Sequence, residues 1–167
     1  MGQRFMPSST PQTKAKNQLL VDRLINDFPQ FKFELGDSYK WSPDEKGIHY
    51  TSGYNLEDSF DLLHELGHAL LSHKNYFQDI ELIKMERDAW VKAREVAVSY
   101  KIDIDEDYIE DALDGYRDWL HSRSICPECM ATGLQSRKTN HYMCLSCEMK
   151  WTSNDARTCG LRRWIKK

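Results

Sequence analysis

The apolar positions of this chain follow two periods. In "NQLLVDRLINDF" (17–28), Leu19, Leu20, Leu24, Ile25 and Phe28 recur at helical spacing. "FKFEL" (31–35) instead alternates Phe31, Phe33 and Leu35 with polar neighbours, as a half-buried strand does. "SYKW", the turn-rich "SPDEKG" and "IHYT" read as strand, connection and strand. Asn55 then offers an N-cap, with Asp58 in a capping-box position three residues on, so a helix is expected from there to about Ser72, closing at His73–Asn75. Two longer helices are expected over 79–100 and 105–122. The second places Tyr108, Ile109, Ala112, Leu113, Tyr116 and Leu120 on one side. The order predicts an α+β domain, mainly helical with a short N-terminal sheet, over 15–122. Residues 1–14 offer almost nothing to bury and are expected to be a flexible leader. No apolar run is long enough for a secretory signal or a membrane span, which sets the expectation of a cytoplasmic protein without membrane contact.

Composition changes this picture in one respect. Residues 1–120 hold 14 Lys+Arg against 23 Asp+Glu, a net of -9, while residues 121–167 hold 9 against 3, a net of +6. All five cysteines, Cys126, Cys129, Cys144, Cys147 and Cys159, fall in the second part. A separate piece is therefore expected over 123–167.

"FDLLHELGHALLSH" (60–73) is nearly all apolar, yet holds His64, Glu65 and His68 in its middle. Residues four apart on a helix are offset by roughly 40° and about 6 Å along the axis, so His64 and His68 can present two imidazoles to one ion. Glu65 lies to the side, within reach of a metal-bound water. This HExxH arrangement supplies two nitrogen ligands and a carboxylate base, as metal-assisted hydrolysis requires. The other reading, two core histidines and a surface glutamate, leaves imidazoles in an apolar stripe. A hydrolytic zinc needs a third protein ligand. His73, five residues past His68, would point elsewhere on a continued helix and reads as a helix-end residue; His49, His121 and His141 lie in a strand or in and beside the basic tail. On the next helix, Glu86 interrupts an apolar ladder of Leu82, Ala89, Trp90, Ala93 and Ala97, where a carboxylate needs a compensating cation. Glu86 is thus the expected third ligand; a rim glutamate paired with a lysine or arginine is the alternative. Asp88 shares a solvated side with Glu81, Lys84, Lys92 and Glu95, and is a candidate for orienting a ligand histidine.

"CPEC" (126–129) and "CLSC" (144–147) form C-x2-C-x14-C-x2-C. Two such knuckles complete a tetrahedron of thiolates around one zinc with no open position, which marks a structural rather than a catalytic metal. In so small a basic segment, zinc would supply much of the folding free energy. Two disulfides are the alternative, with nothing to place the chain in an oxidising compartment. Cys159 is left over. Two Zn2+ ions are expected in all, one catalytic and one structural.

"LLHELGHALLSH" followed by "ERDAW" resembles the gluzincin metallopeptidases, in which HExxH is completed by a glutamate on the next helix, often as E-x-x-A. Among these it is most similar to small ImmA/IrrE-type proteins, over roughly residues 15–120. The resemblance implies zinc at His64, His68 and Glu86, Glu65 as general base, and hydrolysis of a peptide bond in a specific protein or peptide substrate. The strand around Ile48–Tyr50, leading into the active helix, is by analogy the expected partner of an extended substrate. The SprT-like group shares the pairing of HExxH with a C-terminal zinc ribbon, but its third ligand is a downstream histidine, absent from the matching region here. Tyr100, Tyr108, Tyr116 and Arg117 are oxyanion-donor candidates by residue type only. The basic, aromatic ribbon is a candidate contact for nucleic acid; docking on the acidic first domain and simple solvation are the alternatives. A non-proteolytic or DNA-associated regulator is the competing reading of the whole chain.

Overall fold

The computed structural model describes residues 11–53, 55–156 and 160–166. Cys159 and the first ten residues of the expected leader lie outside them. The fold is mixed α/β, with four helices and two small sheets among the described residues. None of the described helices is long and apolar enough to cross a membrane. The chain divides into two compact units, Met1–Lys74 with Asp88–Ile104, and Asn75–Arg87 with Asp105–Lys167.

In the first unit, α1 (Pro11–Asp27) already includes the last four residues of the expected leader. It buries Leu20, Val21 and Leu24, and leaves Leu19 and Ile25 exposed. Strands β1 (Lys32–Leu35), β2 (Lys40–Ser42) and β3 (Gly47–Tyr50) form one sheet in the order β1-β3-β2, with β1 parallel and β2 antiparallel to β3. Leu35, expected on the buried face, is 66% exposed at the end of β1. The strand expected to receive substrate is corrected here. β3 is central, both its neighbours are in place, and it has no open edge to pair with another chain.

Helix α2 (Leu56–Leu70) starts as the capping signal requires. The Asn55 side chain accepts from the Asp58 N–H, while Asp58 accepts from the Asn55 N–H. Leu24, Ile48, Leu63 and Leu66 are fully buried around α2, each burial contributing about 1.5–3 kcal/mol. Helix α3 (Asp79–Tyr100) is one unbroken helix, and the division between the units falls inside it, after Arg87. Its Ala89, Trp90, Ala93 and Ala97 are buried in the first unit.

The second unit joins the start of α3 to α4 (Glu106–Ser124) and a four-stranded antiparallel sheet, β4 (Gly133–Gln135), β5 (Tyr142–Cys144), β6 (Lys150–Ser153) and β7 (Arg163–Lys166), in sequence order. Its small core is Tyr142 stacked on Trp151, with ring centroids 5.5 Å apart, beside Cys126 and Cys144. The cysteine-bearing segment does not stand apart from residue 123. α4 continues through Ser124, and the first residue of α3 is held by the sheet. Asp79 is buried and takes two hydrogen bonds from Arg123, one from the Tyr142 hydroxyl at 2.6 Å, and gives its own N–H to Gln135 at 2.7 Å. Arg123 also donates to the Asn154 carbonyl and lies over the Trp119 ring. Burying this pair is tolerable only because every partner is satisfied.

Candidate metal centres

The HELGH segment lies in the middle of α2, and His64 and His68 are both buried there. Their Nε2 atoms face each other at 3.1 Å. Two nitrogens bound tetrahedrally to one zinc at about 2.0–2.1 Å stand a little over 3 Å apart, so the pair has the separation of a chelate. Trp90 packs on His64, ring centroids 4.2 Å apart, and so fixes that imidazole from the α3 side. Gly67 permits this proximity. A Cβ there would sit 2.4 Å from the carbonyl oxygen of Ala89, so two minimal residues meet where the helices cross.

Glu86 stands one turn ahead of Ala89 and Trp90 on the same helix, and is 6% exposed. A carboxylate oxygen of Glu86 and one nitrogen each of His64 and His68 lie within 4.8 Å of one another. Two imidazoles and a carboxylate converging in a buried place suit zinc by donor type and by number, with a fourth position left for water. Glu65, between the histidines in sequence, is not one of the three converging residues. Its Oε2 accepts the backbone N–H of Trp41 at 2.6 Å, which places the carboxylate against strand β2, at the strand's side away from β3.

One residue that sequence reasoning set aside lies beside this group. α2 ends at Leu70, and Ser72 takes a left-handed conformation at φ 55°. The N–H of His73 then donates to the carbonyl of His68 at 3.0 Å, and that of Ser72 to Ala69 at 3.0 Å. This is a Schellman closure, which folds the chain back under the last turn. As a result His73 Nδ1 lies 2.8 Å from His68 Nδ1. His73 is the helix-end residue expected, but because the helix stops between the two residues it points back to His68 instead of elsewhere. Helix-ending signals at Ser72–Asn75 were the available clue.

The four cysteines form a second group, with one sulfur of each within 4.8 Å of the others. Cys126 and Cys147 sulfurs are 3.6 Å apart, and those of Cys129 and Cys144 3.4 Å. These separations are ones that thiolates around a shared ion could have. The two knuckles are built alike, eighteen residues out of step. Each first cysteine gives its N–H to a carbonyl five residues on (Ala131, Met149), accepts at sulfur from the second residue after it (Glu128, Ser146), and is followed by a left-handed residue (Met130, Glu148). Backbone N–H groups of Cys147 and Ser146 pull the Cys144 thiol down to about 6, while Cys147, despite the Met149 N–H, is pushed up to about 12 by burial and the neighbouring thiols, as crowded groups that share protons do.

Three of the other candidates have partners of their own. His49 sits between the carboxylates of Glu34 and Glu45, at 3.9 and 3.7 Å. The Tyr100 hydroxyl donates to Asp27 at 2.7 Å, and its pKa is raised to about 12, mainly by burial. Arg117 is paired with Glu110 and Asp114 on the exposed side of α4. Asp88 is half-buried on α3. A groove of the first unit, about 630 Å³ between Phe28, Leu70, Leu71, Lys92 and Tyr100, is lined by none of His64, Glu65 and His68. Compared with protein-family models, with curated proteins and with solved structures, the chain matches none.

Proposed function

We propose that the chain is a zinc-dependent metallopeptidase of gluzincin type, acting on a protein or peptide substrate in the cytoplasm, with a second zinc of structural role in the four-cysteine group. The observation that carries this reading is the convergence of His64, His68 and Glu86 beside a separately held Glu65. When bound, zinc supplies a Lewis acid that acidifies water and polarises a carbonyl. Glu65 is the base that takes the proton from the attacking water and returns it to the leaving amine. The Trp41 N–H fixes one oxygen of that carboxylate.

A non-proteolytic, nucleic-acid-associated role through the basic segment is the second reading. It draws on Leu134, Met143 and Trp164, all exposed on the outer face of the four-stranded sheet along with Lys150. Glu65→Gln separates the two. Incubated with a peptide library and read by mass spectrometry, the wild type cuts and the variant does not, while both hold two zinc ions per chain. Equal product sets from the two proteins, or none from the wild type, would rule out the peptidase.

A further inference from the structure

We infer that His73 is a positioning residue, which fixes the tautomer and aim of the ligand His68. This rests on reading His64, His68 and Glu86 as a zinc site. The Nε2 of His68 is turned toward the Nε2 of His64, so it is the nitrogen that offers its lone pair to the ion. The other nitrogen, Nδ1, is 2.8 Å from His73 Nδ1. Only one proton can lie between two ring nitrogens at that distance. With His68 Nε2 unprotonated for the metal, its proton is on Nδ1 and is donated to His73. His73 must then accept at Nδ1 and carry its own proton on Nε2.

A ligand histidine almost always gives its second N–H to an acceptor that sets ring orientation and basicity, usually a carboxylate or carbonyl. Here a neutral imidazole takes that place. Its position is not left to a flexible side chain. The Schellman closure ties the His73 N–H to the His68 carbonyl, and the Trp41 indole N–H donates to the His73 carbonyl at 2.8 Å. The backbone of His73 is thus fastened on both sides, and Trp41 serves the base Glu65 through its backbone and His73 through its side chain. One strand residue thereby registers the base and the support of the metal ligand together.

The test compares wild type, His73→Phe and His73→Asn by competition with a chromophoric zinc chelator. Zinc released only after a mercurial thiol reagent is counted as the four-cysteine ion. Asn keeps an acceptor oxygen close to the Nδ1 position; Phe keeps the ring and removes the acceptor. Phe should weaken the chelator-accessible zinc by about 10–100-fold, Asn should restore most of that loss, and the thiol-held zinc should not change. Equal affinities in Phe and wild type would overturn the proposal while leaving the site itself intact. A wild type with only thiol-held zinc would overturn the site as well. Independently of any variant, the two-bond nitrogen–proton NMR spectrum of the zinc-loaded wild type should show His68 protonated on Nδ1 and His73 on Nε2. A proton on His68 Nε2 would refute the assignment.

Discussion

Gly67→Ala is a sensitive probe of how α2 and α3 meet. A glycine inside a helix costs about 1 kcal/mol relative to alanine. On propensity alone the substitution should therefore stabilise the protein by that amount. The structure predicts the opposite sign. The added Cβ would lie 2.4 Å from the Ala89 carbonyl oxygen and 3.1 Å from its carbonyl carbon, both backbone atoms that cannot swing aside. Ordinary contact needs ~3.5 Å, so α2 must retreat from Ala89 by about 1 Å. Overpacking of this kind costs ~1–3 kcal/mol, and a clash with backbone belongs near the top of that range. The net expectation is a loss of about 2 kcal/mol, or roughly 4–8 °C in Tm for a chain of this size. The shift is also several times the ~0.2 Å tolerance of metal–ligand distances, and His68 is the next residue. Thermal unfolding after removal of the chelator-accessible zinc reads the packing cost, and chelator competition reads the site. A variant more stable than wild type by about 1 kcal/mol, with unchanged zinc affinity, would refute the close crossing.

Asp79→Ala strands the Arg123 guanidinium in a place where it is 4% exposed; the expected loss is about 3–5 kcal/mol in denaturant unfolding, and a loss under 1 kcal/mol would contradict the buried network. Cys144→Ser should remove one zinc per chain and expose Trp151, read as a red shift in tryptophan emission, because the core of that sheet contains Cys144 itself. An unchanged spectrum with one zinc lost would mean the sheet folds without its metal.

Both residue clusters could be read before the fold. Glu86 is conspicuous because it breaks an apolar ladder, and the cysteines because two C-x2-C knuckles admit few arrangements. Capping at Asn55 and the limits of α3 follow from local signals. What stayed hidden depends on distant partners. The central place of β3 comes from parallel pairing with β1, which no local pattern encodes. His73 points back to His68 because a helix closing at Ser72 returns the next residue to the turn it has just left. Asp79 reads as an ordinary first residue of a helix, and its burial comes from Arg123 and Tyr142, 44 and 63 positions away. Trp41 falls in the expected strand SYKW, but its bonds to Glu65 and His73 join residues 24 and 32 positions away, which no local pattern encodes.

Anomalous diffraction at the zinc absorption edge tests the central claim most directly. Crystals of the wild-type chain should give two peaks per molecule, one inside the four sulfurs and one about 2.0–2.2 Å from His64 Nε2, His68 Nε2 and a Glu86 oxygen. A single peak among the cysteines, with Glu86 turned from the imidazoles, would contradict it.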